Sequence, residues 1–247
     1  MRALHRCRLA LLVIVLAFAA AAPAAADLTL LTHYTLVTGD TLTRPSYYST
    51  ARVRVTGPDG LEYMFDKKGK TVTVIDHVAR TYWTGPSSRA DSLAKTIMAA
   101  NREGVPHPDS ADAAEWGAKI KAFNDSLKVV NTGKTRTIAG YPCDEWMLTA
   151  GRFLSNQRWV ARGLTVPNFG PEMQKTVMAS VRDPLGRQLM RMLIDMRTKS
   201  GMVLAAKTTF WVPSRDGNFE FETLQVKSGT IPATAWLIPE GYTAVQL

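Results

Sequence analysis

Residues 51–83 read ARVRVTGPDGLEYMFDKKGKTVTVIDHVARTYW, and the period of this stretch decides the fold class. Val53 and Val55 alternate with Arg52 and Arg54, so an extended chain sends the two valines to one face and the two arginines to the other. Gly57-Pro58-Asp59-Gly60 is a turn signal, after which Leu61, Tyr63 and Phe65 share a face. Lys67-Lys68-Gly69-Lys70 marks a second turn, and Val72 and Val74 of Thr71–Asp76 point inward. His77-Val78-Ala79 then leads into Arg80-Thr81-Tyr82-Trp83. Short alternating segments joined by tight turns specify an antiparallel meander and leave no room for crossover helices.

Working outward, Asp27–Tyr48 alternates loosely and holds one or two further strands. Downstream, the period changes to that of a helix. Ala90, Leu93, Ala94, Ile97 and Met98 form a stripe within residues 87–101. Trp116, Ile120, Phe123 and Leu127 form a second stripe behind a cap at Asp109 or Ser110. Strand signals return at Lys134–Ile138, Ala139-Gly140-Tyr141-Pro142 reads as a turn into Cys143–Leu148, and Gln157–Arg162 alternates again. Two more helices are expected over 169–181 and 184–197, and three β segments over 202–212, 218–226 and 234–238. The result is an α+β chain whose helices cover one face of an antiparallel sheet.

The first 26 residues differ from all of this. Arg2, Arg6 and Arg8 precede the run LALLVIVLAFAAAAPAAA, which ends at Ala26, the pattern of a secretory signal peptide. Cleavage near Ala26 divides the chain into a 1–26 signal and a single 27–247 domain, and places that domain in the periplasm. Removing the three arginines takes the net charge from +9 to +6, a charge that suits peripheral contact with an anionic membrane surface. Cys7 leaves with the signal, so Cys143 has no intrachain disulfide partner and the domain depends on packing.

Motifs for chemistry are sparse. There is no GxSxG elbow, no HExxH, no paired metal-finger cysteines and no glycine-rich phosphate loop. His33, His77 and His107 fall in different elements, and Asp76-His77 are strand neighbours that face opposite sides. Two carboxylates beside Cys143 disfavour its thiolate. No catalytic residue, metal ligand or cofactor is assigned. The dispersed aromatics do not form the aromatic-plus-basic groove of a nucleic-acid binder. One feature points to a ligand. Met173, Met178, Met190, Met192 and Met196 lie close together, and flexible thioethers suit adaptable apolar surfaces.

Four segments together resemble the exported bacterial DUF4412 family. They are Thr71–Asp76 with Thr81-Tyr82-Trp83; Thr132–Trp146 with its Ile-Ala-Gly-Tyr turn and following Cys143; Gln157–Ala161; and the close Ile238-Pro239-Glu240-Gly241-Tyr242. The close is similar also to that of lipoprotein carriers of the LolA/LolB type. The likeness runs over roughly residues 50–245 and fades over 85–125 and 165–200. It implies a strongly curved antiparallel sheet, an incomplete barrel, covered on its concave side by helices; in the carrier relatives that hollow holds acyl chains. The expected function is non-enzymatic binding of an apolar or amphipathic, lipid-like ligand between sheet and helices. The expected lining is Trp83, Trp159, Met173, Met178, Leu189, Met192, Leu193, Met196 and Trp211. Two alternatives stand beside it: an envelope module that docks a protein partner, and a hydrolase whose acidic and His residues converge from distant strands.

Overall fold

The computed structural model describes residues 27–57, 60–89, 113–166, 191, 201–212 and 215–246. The signal segment, the helix expected over 87–101 beyond Arg89, and the helices expected over 169–181 and 184–197, apart from Arg191, lie outside the described residues.

The quoted stretch forms three successive hairpins of one sheet. In chain order the strands are β1 (Leu28–Thr35), β2 (Thr41–Tyr48), β3 (Arg52–Thr56), β4 (Glu62–Asp66), β5 (Thr71–Asp76) and β6 (Thr81–Pro86), each antiparallel to the next. Side chains of the turns hold the reversals in place. Asp66 Oδ1 accepts from the Gly69 amide, and Asp76 Oδ1 accepts from the amides of Val78 and Ala79. A second meander follows: β7 (Leu127–Ile138), β8 (Tyr141–Ala150), β9 (Leu154–Ala161), β10 (Val203–Val212) and β11 (Arg215–Ser228). β11 pairs with β1 and joins the two meanders, while the two-residue β12 (Thr243–Ala244) adds in parallel to β6. The order across the sheet is β12-β6-β5-β4-β3-β2-β1-β11-β10-β9-β8-β7.

The expectation of a strongly curved, incomplete barrel with helices on its concave side is therefore corrected. The twelve strands form one open, mixed sheet that is neither closed nor strongly curled, with β12 and β7 at its two opposite edges. Alternation and turn residues specify which strands pair, but closure also needs a consistent stagger that brings the edges together, and no residue pattern in the hairpins encodes that.

Among the described elements the α-helix is α1 (Ala113–Asp125), and it packs at the β7 end of the sheet. Its Phe123 is fully buried against Leu148, Ala150 and Leu154, and Ser126 Oγ closes its C-terminus by donating to the Ala122 carbonyl. Leu127, expected on the helical stripe, instead begins β7 and joins the same cluster from the strand side. Two other sequence expectations shift. The turn before β8 is only Ala139-Gly140, both with positive φ (49° and 86°), so Tyr141 and Pro142 already pair with Ile138 and Thr137. Residues 234–238 do not form a strand; Ala233–Trp236 is a 3-10 turn lying over the sheet.

Candidate functional site

The register of β3–β5 separates two chemically distinct faces. On one, Val53, Phe65 and Val72 align, and Val55, Tyr63, Val74 and Trp83 align beside them. Tyr63, Phe65, Val72, Val74 and Trp83 form a buried apolar cluster, joined by Val55 and Leu61. Gly85 makes room there: a Cβ at that position would lie 2.4 Å from the Trp83 ring. On the other face Thr56, Glu62 and Ile75 align, beside Arg54, Met64 and Thr73.

That second face carries the most connected set of titratable side chains among the described residues. The alternation puts Arg54 with Arg52 on the face opposite the two valines, and the structure leaves it only 8% exposed. Arg54 Nη2 donates to Glu62 Oε2 at 2.7 Å, and Nη1 donates to the carbonyls of Ala235 and Leu237, each at 2.8 Å. Glu62 Oε2 also meets His77 Nε2 at 3.0 Å, and His77 Nδ1 shares a 2.8 Å hydrogen bond with the Tyr242 hydroxyl. Burial works to raise the Glu62 pKa, but Arg54 and then His77 outweigh it and hold the carboxyl below its ordinary value. An ionised Glu62 can only accept, so Nε2 carries a proton and, in the neutral ring, Nδ1 accepts from Tyr242.

These bonds fasten the C-terminal segment across the sheet. Trp236 lies against Tyr47 with ring centroids 6.0 Å apart, and the amides of Thr243 and Val245 donate to the carbonyls of Arg80 and Tyr82. Chemically the set is a clasp: both ring nitrogens of His77 are engaged, and Glu62 is held ionised, which suits it poorly as a general acid. Asp76, the sequence neighbour of His77, is turned to the loop amides instead. The convergence of Glu62, His77 and Tyr242 was not read from the sequence. The available signal was the Glu at the start of β4 facing the same side as His77, together with the Tyr in the closing motif.

The expected ligand-lining residues fall as follows. Trp83 lies in the apolar cluster of β4–β6. Trp159 lies on β9, separated from β6 by seven strands in the sheet order, and the two are not brought together. The Trp159 ring is covered by the Arg136 guanidinium, 4.6 Å from its centroid, and its register partner is the buried Glu145. Thr132 and Gln157 donate to Glu145 and hold its pKa down against burial, with Lys134 adding to the effect. The surroundings of Trp159 are therefore polar on one side. Met173, Met178, Leu189, Met192, Leu193 and Met196 lie outside the described residues; Trp211 is on β10, with its side chain outside them. Cys143 is fully buried, its thiol pKa is raised chiefly by burial, and Sγ donates to the Tyr141 carbonyl. Among the described residues, no three His, Cys, Asp or Glu side chains are grouped to hold a metal ion, and no helix is long and apolar enough to cross a membrane.

Comparison with solved structures shows distant likenesses. The chain is similar to PNGF-II at 12% identity and a TM-score of 0.37, covering 89% of this chain and 30% of that one, so it spans under a third of that protein's length. It is similar to MucB at 11% identity and a TM-score of 0.38, covering 88% of this chain and 58% of MucB. A LolA superfamily protein from Nitrosomonas europaea matches at 9% identity and a TM-score of 0.23, covering 86% and 89% of the two chains. The scores are too low to carry an activity or a ligand across. No curated protein matches. The family model described as a domain of unknown function, DUF4412, matches residues 96–242. That span takes in β7–β11, α1 and the clasp residue Tyr242, and with more than half of the chain matched, the protein belongs to the DUF4412 family.

Proposed function

We propose that the mature chain, residues 27–247, is an exported, non-enzymatic binding protein that holds an apolar or amphipathic ligand against the Trp83 face of β3–β6. The observation that supports this reading is the separation of faces. One face of these strands is closed by the Arg54–Glu62–His77–Tyr242 clasp and the C-terminal segment. The other gathers Tyr63, Phe65, Val72, Val74 and Trp83 into a buried apolar and aromatic cluster, a lining of the kind that ligand sites use. The methionine-rich segment 173–196 is the proposed opposing wall, because thioether side chains adapt to variable apolar shapes. Export rests on the signal-like residues 1–26.

Native mass spectrometry of the protein purified gently from the periplasm tests the proposal. A co-purified lipid-sized adduct, reduced in Trp83→Ala, is the expected result. An empty species that also fails to take up labelled acyl ligands overturns it.

A further inference from the structure

Among the described residues, strand β7 closes one edge of the sheet and pairs with β8 alone in the strand order. An edge strand leaves half of its backbone donors and acceptors available, and protective features normally blunt it. One such feature is present. The register with β8 shifts between Asn131 and Thr135, where Gly133 has a φ of 76° and its amide is taken by Asn131 Oδ1. This shift leaves Leu127–Asn131 as an unbroken extended run. Its middle is unusually bare: Val129 is 43% exposed and Val130 51% exposed, and alternation sends them to opposite faces of the sheet. Two exposed β-branched residues on an edge offer both the backbone ladder and the side-chain contacts that strand addition uses.

We propose that this edge takes up an extended, acidic segment of a partner protein as an added antiparallel strand. Charge selects the occupant. Leu127–Ile138 contains Lys128, Lys134 and Arg136 and no Asp or Glu. Lys134 and Arg136 meet Glu145 and Glu222, yet Lys134 remains largely exposed, and Lys128 is exposed beside Val130. A second copy pairing through β7 would bring the Lys128 side chains of both copies to one seam with no acid on either strand to offset them, so self-association is disfavoured. A segment with alternating β-branched and carboxylate side chains satisfies the ladder, covers Val129 and Val130, and neutralises the cations. The proposal is independent of the ligand reading, since β7 and β6 lie near opposite edges of the sheet.

The test uses fluorescence anisotropy of the mature protein with three labelled nine-residue peptides: alternating valine and glutamate, alternating valine and lysine, and the glutamate peptide methylated at alternate backbone nitrogens. Only the unmethylated acidic peptide should bind. Its affinity should fall about three- to ten-fold in Lys128→Glu, the scale expected for reversing an exposed charge, and should fall further with added salt. Amide exchange should slow in β7 on binding. The proposal is overturned by no binding of the acidic peptide, equal binding of the lysine peptide, retained binding after backbone methylation, protection confined to other strands, or a stable dimer in sedimentation that is lost in Lys128→Glu.

Discussion

Arg54 illustrates how one buried charge organises its surroundings. Its guanidinium is tied to a carboxylate and two carbonyls, so removing it leaves Glu62 ionised in a buried site with only His77 beside it. Arg54→Ala should therefore cost about 3–5 kcal/mol in urea unfolding, as for other broken buried pairs. Because the folded-state pKa of Glu62 lies below 4.5, its stabilising contribution is complete above that pH and is lost as pH falls through the folded value. Urea midpoints measured from pH 7 to pH 3 should fall more steeply for the wild-type chain than for Glu62→Gln. Thr56, in register with Glu62, is the opposite case: its hydroxyl is buried without a hydrogen-bond partner. The isosteric Thr56→Val removes that polar atom from the core and should raise stability by about 1 kcal/mol, seen as a higher Tm. The sequence showed Arg54 as half of an alternating pair, but not that a segment 181 to 183 residues later would cover it. Alternation assigns a face, and only the remote chain decides whether that face is wet.

At the scale of elements, the local signals were mostly sufficient. Val53 with Val55, Tyr63 with Phe65, and Val72 with Val74 each read onto one face of their own strand, and the hairpin register aligns these three faces, because a two-residue period and a tight turn determine the register of a hairpin. The errors came where two periods overlap. Leu127 satisfies the helical spacing of Ile120 and Phe123, yet the chain leaves the helix at Asp125 and Leu127 meets the same apolar cluster from β7. Thr234–Ile238 has the composition of a strand, but its position across the sheet favours a short 3-10 turn whose carbonyls receive Arg54. Gly85 tests how closely one element constrains another. Gly85→Ala puts a methyl group into the Trp83 ring and should destabilise the β5–β6 hairpin by about 1–3 kcal/mol, with a change in the near-ultraviolet circular dichroism of Trp83. A Trp83→Phe, Gly85→Ala double variant should recover part of that loss, because the smaller ring can move aside.

For the whole molecule, a sequence of hairpins fixes neighbours but not the overall bend, which is why an open sheet stands where an incomplete barrel was expected. Cys143 provides a probe of this larger structure, since its cluster runs from Leu28 and Val53 in the first meander to Ile138 and Leu204 in the second. Thiol reagents should label the native protein only at the rate at which that shared cluster opens, and the unfolded chain at once. The same join has a consequence in time. Each meander is built from near neighbours in sequence, whereas β1 finds β11 by pairing Leu28 with Ser228 across almost the entire chain. Contacts of such separation form slowly, because the intervening loop must be closed before they give any return. Of these strands, the first to be synthesised is thus the one that waits longest for its second neighbour. Until the last meander is made, β1 carries a naked edge, and the interval between its emergence and the arrival of residue 228 is when this protein is most exposed to mispairing.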